Sequence, residues 1–359
     1  MNKSRSVELR RLLKESSLLS SSESIDPVLL KAMLERHYGL SGHVERLGVE
    51  KGDTFKLTTG LDDYLVKVSP SDEPGPVTGL QTAVVRYLED AAPALPVQRI
   101  KPTVDGSDSV LIDMSDGTHR TLSVFCFIEG VLWEQIHWNS EQLTKLGDML
   151  GRVNTSLRSF AHPAASRRLV YDIAHFHRCV ELVEYTPEAK HRLLAQRVFS
   201  LFEQVVLPRL SSLEMHVIHG DYAPNNVVVD PHSDVFVKSV LDFGDTVRSA
   251  RIFDPANSVA HLIGRTQEHP WRDASDFIAG YEQSRPIDDA ELPLLPVAAL
   301  ARLTMLALIR HWKAERAPDQ REKLLASAEY YWTNLELAMS VPLDDVIARF
   351  RGRSRHPVT

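Results

Sequence analysis

The order of apolar and polar positions divides the chain into two regions of different character. Asp26 and Pro27 suit a helix N-cap and first turn, and Leu30, Met33, Leu34 and Tyr38 then recur at helical spacing until Gly39 supplies a stop. From Val44 to Val68 the period shortens to that of strands, punctuated by Gly48, Gly52, Asp53, Gly60, Asp62 and Asp63. Residues 64–68 alternate and set Lys67 on one face of a strand. A loop with Pro70, Pro74, Gly75 and Pro76 leads into a helix predicted over Thr78–Glu89, with Leu80, Val84, Tyr87 and Leu88 on one face. Pro93 to Met114 predicts two further strands around the Asp105-Gly106 turn, and Val124–Ile128 another that ends at Glu129 and Gly130.

Beyond residue 130 the pattern lengthens into helices, over Ser140–Ser159, Tyr171–Glu184, Ala189–Leu210 and several between Asp273 and Ala348. Leu292–Ile309 approaches the length of a membrane span, but Pro296 and Arg302 interrupt it, so it reads as a buried core helix. The organisation expected is a serine-rich arm at 1–24, disordered or with a short helix over Val7–Leu13, and a β-rich unit at 25–125. A connector at 126–130, a mainly helical unit at 131–345 and a solvated arginine-bearing tail at 346–359 follow. A chain of 359 residues holds about two units of ordinary domain size, and the α+β reading places a cleft where they meet.

Composition narrows the function classes. Apolar residues at 43% and charged residues at 25% exclude global disorder. Cys126 and Cys179 are too few for a disulfide framework or a cysteine metal cluster and fit a reducing cytosol; residues 1–19 lack the apolar block of a signal peptide, so a cytoplasmic location is expected. A formal net charge of −7 argues against a nucleic-acid partner and is compatible with a cationic small molecule; no membrane partner is expected, and a homodimer is allowed.

One section of the helical region differs from the rest. It runs over residues 217–230 (Val-Ile-His-Gly-Asp-Tyr-Ala-Pro-Asn-Asn-Val-Val-Val-Asp) and 239–245 (Ser-Val-Leu-Asp-Phe-Gly-Asp) and reads as a hairpin. If Val227–Val229 pairs with Ser239–Leu241, then Asn226 and Asp242 emerge side by side at its open end. Together they make a hard-oxygen half-site of the kind magnesium completes with water and phosphate oxygens. Asp221, five residues before Asn226 on a loop stiffened by Pro224, faces the same place without being a metal ligand. A base or orienting carboxylate belongs there if a substrate hydroxyl attacks phosphorus.

His-x-Asp-x₄-Asn followed by Asp-Phe-Gly is the catalytic-loop and metal-loop pattern of kinases, with Gly220 where arginine is usual. Each half alone could be a polar turn ending a strand; both in order, 16 residues apart and bracketed by strands, carry the functional reading. Lys67 then gains a role as a point charge on nucleotide phosphates. Gly48–Leu57 lies where a phosphate-covering loop belongs, with Gly52, Asp53 and Thr54 offering backbone N–H groups, although it is not a Gly-x-Gly-x-x-Gly loop. His219 and Asp254 read as braces of the catalytic loop. His175 and His177, two apart on a helix, point in nearly opposite directions and do not share a zinc ion.

With these residues in place the chain resembles the aminoglycoside phosphotransferase/choline kinase superfamily from about Pro27 to Ala338. The resemblance rests on Tyr64–Ser69, Leu95–Val97, His219–Asp230, Leu241–Asp245 and Phe253–Ala256. Tyr38–Gly42, Asp53–Phe55, Leu80–Ala83, Asp242–Asp245 and Phe277–Tyr281 make the hydroxylysine kinase branch the most similar. It implies a two-lobed protein-kinase-like fold, with a small N-terminal antiparallel sheet lobe carrying a helix and a larger, mainly helical C-terminal lobe. It also implies Asp221 as the catalytic Asp, Asn226 and Asp242 as Mg²⁺ ligands, and Lys67 as the lysine of the α/β-phosphates. The nucleotide base, of ATP or GTP, would be bordered by a hinge at Phe125–Gly130 that includes Phe127. The helix residue that pairs with this lysine is Glu in the superfamily but Gln81 here, able to accept a hydrogen bond without contributing charge.

The acceptor expected is a hydroxyl on a small amine or hydroxy amino acid, hydroxylysine-like. Asp245–Pro255 is too short for a peptide-docking segment and lacks Ala-Pro-Glu, which disfavours a protein acceptor. Tyr222, Asp245, Arg248 and the helix carrying Arg302 are candidate contacts, with Arg248 or Arg302 for a carboxylate and Tyr281 or Glu282 for an ammonium. An antibiotic O-phosphotransferase keeps the same chemistry; a non-catalytic nucleotide binder is the alternative of a different class, prompted by Gln81 and the glycine-poor loop.

Overall fold

The computed structural model describes residues 3–16, 18, 24–48, 52–114, 117–266 and 269–354. The N-terminal lobe is built on a five-stranded antiparallel sheet of β1 (His43–Leu47), β2 (Asp53–Thr58), β3 (Asp63–Val68), β4 (Val110–Asp113) and β5 (His119–Cys126), in the order β1-β2-β3-β5-β4. Helix α1 (Lys3–Glu15) precedes this lobe, and α2 (Pro27–Tyr38) packs on the sheet. The expected cap is present: Asp26 accepts from the Val28 N–H, and Gly39 closes α2 at φ 63°, a conformation glycine adopts without strain. Leu30, Leu34 and Tyr38 join Phe55, Leu57, Val66 and Leu122 in a core of their own. Helix α3 (Gly75–Ala91) follows the proline-rich loop and carries Gln81.

Pro93–Met114 yields one strand rather than the two expected. Pro93, Pro96 and Pro102 deprive the first half of ladder donors, and it makes single bridges instead, Val97 to Val240 and Ile100 to Phe125. The Val97 bridge stitches the small lobe to β9 of the large one, two residues before Asp242, while the Ile100 bridge stays within the small lobe.

The large lobe contains β6 (Val131–Leu132), α4 (Ser140–Leu157), α5 (Ala189–Val205), β7 (Met215–Ile218), β8 (Val227–Val229), β9 (Val237–Val240) and β10 (Val247–Ala250). It continues with α6 (Phe253–Leu262), α7 (Arg272–Ser284), α8 (Leu294–Ala314), α9 (Arg321–Met339) and α10 (Leu343–Ser354). Two small sheets, β10-β7 and β6-β8-β9, hold the site segments. A hairpin forms as expected, but one residue off the expected register: Val227 is opposite Val240 and Val228 opposite Ser239, with a bulge at Val228–Val229, and Leu241 lies beyond β9. Helix α8 is the central helix; it is apolar and long enough to cross a membrane, yet 94% of its most apolar window is buried inside the fold. Residues 173–185 form a 3₁₀ rather than an α-helix, capped by Asp172 accepting from the Ala174 N–H.

Both termini are more structured than expected. Helix α1 exceeds the short helix predicted and buries Leu9, Leu12 and Leu13 in the main core, while the Ser16 hydroxyl accepts the Val170 N–H at 2.7 Å. Ser20–Ser22 lie outside the described residues. The predicted solvated tail is helical as far as Ser354, because Val346 and Phe350 are apolar at helical spacing and both are fully buried, Phe350 edge-on to Trp271. Arg355 lies outside the described residues.

Candidate active site

A cleft of about 640 Å³ separates the lobes; Thr54, Lys67, Gln81, Phe127, Asp221, Asn226, Asp242 and Asp245 are among its lining residues. Asp221 is delivered by the turn after β7. Pairing of Ile218 with Val247 draws His219–Asp221 alongside Asp245 and Thr246. Gly220 sits at φ +82°, and a Cβ there would overlap the Asp245 carbonyl, so the arginine usual at this position has no room. Asp254, fully buried on α6, accepts from the His219 N–H (3.0 Å), the Gly220 N–H (2.9 Å) and Asn154 Nδ2 (2.7 Å). His219 Nδ1 accepts from the Asp221 N–H at 3.2 Å, so its Nε2–H donates to the Leu241 carbonyl at 3.0 Å. Both residues brace the loop, as expected.

Asp221 is gripped at both carboxylate oxygens. Oδ2 accepts from Asn226 Nδ2 at 2.9 Å, and Oδ1 accepts from Arg302 Nη2 at 2.8 Å. Asn226 also donates to the Asp221 carbonyl at 2.9 Å, so its amide hydrogens are spent on Asp221, and its Oδ1, which accepts from Asn225 Nδ2 at 3.2 Å, keeps a second lone pair for a cation. The Leu241 N–H donates to the Asn226 carbonyl at 2.8 Å, which brings Asp242 beside Asn226 at the hairpin's open end. Asp242 is in the left-handed region at φ 55°, ψ 77°, with Oδ1 accepting from Lys67 Nζ (2.9 Å) and the Gly244 N–H (3.1 Å). An amide oxygen and a carboxylate so placed are hard donors that fit a magnesium ion sharing phosphate oxygens.

The charges are arranged unevenly. Desolvation by the cleft walls raises the Asp221 pKa and Arg302 lowers it, while Asp245 and Asp242 add to the rise; the net shift is upward. Desolvation also acts to raise Asp242, but the Lys67 ammonium and its hydrogen bond outweigh it and hold this carboxyl below the usual range.

Several expected contacts are corrected. Lys67 bonds Asp242, not Gln81, whose Nε2 is buried without a partner. Phe127 lines the cleft, but Phe125 is fully buried in the main core and lies outside the lining. Thr54 lines the cleft, and Gly52 turns at φ +65° against the Val68 carbonyl. Asp53 also lines the cleft, and its carboxylate, 2% exposed, anchors structure: it accepts from Arg120 Nη2 at 2.9 Å, from the Ile25 N–H at 3.0 Å, and from Arg46. Val49–Lys51 of the expected phosphate loop lie outside the described residues.

Among the expected substrate contacts, Asp245 lines the cleft. Tyr222 is fully buried with its hydroxyl on the Leu146 carbonyl at 3.1 Å, and Tyr281 is fully buried with its hydroxyl on Asn154 Oδ1 at 3.1 Å. Glu282 shares α7 with Tyr281 and does not line the cleft; neither does Arg248, exposed on β10. Arg302 lies beneath Asp221 rather than in the cleft.

Two residues escaped the sequence reading. Tyr171 lines the cleft, its hydroxyl accepting from Lys313 Nζ at 3.3 Å and its ring flanked by Arg302 (5.4 Å) and Lys313 (5.9 Å). Arg167 donates to the Gly244 and Thr246 carbonyls, bracing the turn that follows Asp242. Nothing in the local pattern marks either.

Residues 44–295, more than half of the chain, match the phosphotransferase enzyme family (APH). The hydroxylysine kinase of Mus musculus is 21% identical over 289 residues, covering 76% of each chain. The structure of the microcompartment-associated aminopropanol kinase is similar with a TM-score of 0.70 at 18% identity, covering 88% of this chain and 98% of that one. Amicoumacin kinase hAmiN in complex with AMP-PNP, Ca²⁺ and Ami is similar with a TM-score of 0.62 at 18% identity, covering 96% and 97%. The two-lobed architecture is thus the protein-kinase-like fold of these phosphotransferases. The chain belongs to the phosphotransferase enzyme family and is a phosphotransferase with an alcohol group as acceptor.

Proposed function

We propose that the protein transfers the γ-phosphate of ATP or GTP to the hydroxyl of a small hydroxy amino acid. The observation that carries this reading is the meeting of Asp221, Asn226, Asp242 and Lys67 at one place in the interlobe cleft. In it, Asp221 accepts the proton of the attacking hydroxyl, with its carboxylate held by Asn226 and Arg302. Lys67 is the cation that meets nucleotide phosphate oxygens from β3. Asn226 and Asp242 would hold a magnesium ion, which would supply positive charge to the nucleotide phosphates. Phe127, with Lys56 Nζ 4.4 Å from its ring, borders the nucleotide base where the two lobes join.

Tyr171 lines the cleft with Lys313 5.9 Å from its ring, which offers one cation to an acceptor carboxylate beside the Asp221, Asp242 and Asp245 carboxylates that suit its ammonium. The similarity to the mouse hydroxylysine kinase points the same way. Lys67 pairs with Asp242, so the lysine is held at the cleft without a helix glutamate, which supports the catalytic reading.

A nucleotide-consumption assay over hydroxylated amino acids, amino alcohols and aminoglycosides, run with Mg²⁺ and with ATP or GTP, tests the reading. Turnover with the first group is expected. Turnover confined to aminoglycosides would replace the acceptor class, and nucleotide binding without turnover across the panel would favour the non-catalytic alternative.

A further inference from the structure

Arg302 occupies a place that suits it badly on solvation grounds alone. Every residue of α8 from Leu294 to Ile309 is buried, and Arg302, at 2% exposure, is the charged one among them. A guanidinium taken so far out of water persists only where fixed partners offset the lost hydration. Arg302 has two: Nη1 donates to the Tyr171 carbonyl at 2.7 Å and Nη2 to Asp221 Oδ1 at 2.8 Å. Its Nε has no partner, so the side chain is committed to these two bonds and to the Tyr171 ring. The carbonyl that holds it is itself held, since the neighbouring Val170 N–H donates to Ser16 and Asp172 caps the following 3₁₀ helix.

The charge distribution gives this pairing a purpose. Asp221 shares the cleft with Asp242 and Asp245, and Lys67 is engaged with Asp242. Arg302 is the cation paired with Asp221, and it reaches Asp221 from the core side without lining the cleft. It therefore acts through the carboxylate and not on the substrate.

We propose that Arg302 is a positioning residue for phosphoryl transfer. It fixes Asp221 Oδ1 from behind while Asn226 fixes Oδ2, so that the carboxylate meets the acceptor hydroxyl in one orientation. Its charge also offsets the repulsion that crowding three carboxylates would otherwise create. This rests on the reading of Asp221 as the proton acceptor.

The test uses Arg302→Met and Arg302→Lys in the full-length protein. Acceptor-dependent transfer is measured together with the slow hydrolysis of Mg²⁺-nucleotide by water, which needs no knowledge of the acceptor. Crystal structures of the wild type and of Arg302→Met are compared at Asp221. The expected result for Arg302→Met is a kcat lower by about 100-fold with the nucleotide KM changed less than about threefold, and Arg302→Lys recovering about tenfold of the loss. The Asp221 carboxylate is expected to leave its wild-type orientation in Arg302→Met. An unchanged kcat would overturn the proposal. So would a joint rise in KM and fall in melting temperature with lysine no better than methionine, which would mark a structural anchor. If the wild type neither transfers nor hydrolyses, the phosphotransfer reading fails by itself. The crystallographic comparison still decides the positioning claim, because an Asp221 that stays in place without Arg302 refutes it. Should the methionine variant not fold, the same measurements on Arg302→Lys decide it. Its ammonium lacks the planar fork that serves Tyr171 and Asp221 together, so wild-type kcat with an unmoved Asp221 would refute the proposal.

Discussion

Replacing Asp254 by alanine removes one carboxylate and strands three donors. The His219 N–H, the Gly220 N–H and Asn154 Nδ2 all end on Asp254, and it is fully buried, so bulk water does not replace it. A buried donor left unsatisfied costs about 1–3 kcal/mol, which makes about 3–9 kcal/mol for the three. Whole-domain stabilities are about 5–15 kcal/mol, so a loss in the lower part of that range is a large fraction of the total. The catalytic loop should suffer beyond its share, because two of the three donors are its own backbone. Urea unfolding followed by circular dichroism reads the loss; with a slope of about 3 kcal/mol per M, the midpoint should fall by about 1 M or more. Asp254→Asn should lie between, since an amide keeps one acceptor and turns an N–H₂ toward a donor. A midpoint for Asp254→Ala within about 0.3 M of the wild type would refute the assignment of Asp254 as the support of the loop.

Two further perturbations follow from the same geometry. Gly220→Ala forces a side chain into φ +82° and against the Asp245 carbonyl; a loss of about 1–2 kcal/mol from the backbone alone, with a further loss from overlap, should appear in thermal melts and in turnover. Asp172, buried with Ser249 and the Ala174 N–H on its carboxylate, has its pKa pushed up by desolvation to about 6 from the usual 3.8. The folded state then binds its proton more tightly than the unfolded state, so stability falls as pH rises from about 4 to about 6 and stays lower above that window. Asp172→Asn, which keeps an acceptor for both donors, should remove this loss and gain up to about 3 kcal/mol over the wild type near pH 7.5, with little gain near pH 4. Equal gains at both values would contradict the burial account.

The proposed metal half-site was legible because its geometry is local. Three valines and a polar turn mark the hairpin, and it brings Asn226 and Asp242 together although its register is one residue off the expected one. Lys67 was legible for the same reason, through alternation along β3. The grip on Asp221 was not, because Arg302 lies 81 residues further on and reaches it through packing of α8 that no local period encodes. An arginine inside an apolar helix that already reads as buried core was the available signal, and it read as a substrate contact because its partner across the fold was not visible. Tyr222 and Tyr281 were misplaced by the same blindness: a tyrosine near a catalytic motif can face the cleft or donate its hydroxyl inward, and here both are buried with that bond made. The end of the final helix read as a solvated tail because its arginines masked Phe350, four residues after Val346 and like it turned into the core.

The central claim is that Asp221 accepts the proton in phosphoryl transfer while Asn226, Asp242 and Lys67 hold the nucleotide and its cation. Turnover and nucleotide affinity of Asp221→Asn, compared with the wild type under saturating acceptor, test it most directly. Asparagine keeps the size and most of the hydrogen bonding to Asn226 but cannot accept the proton, so kcat should fall by about 10²–10⁴-fold with nucleotide affinity essentially unchanged. Full turnover by Asp221→Asn would contradict the account.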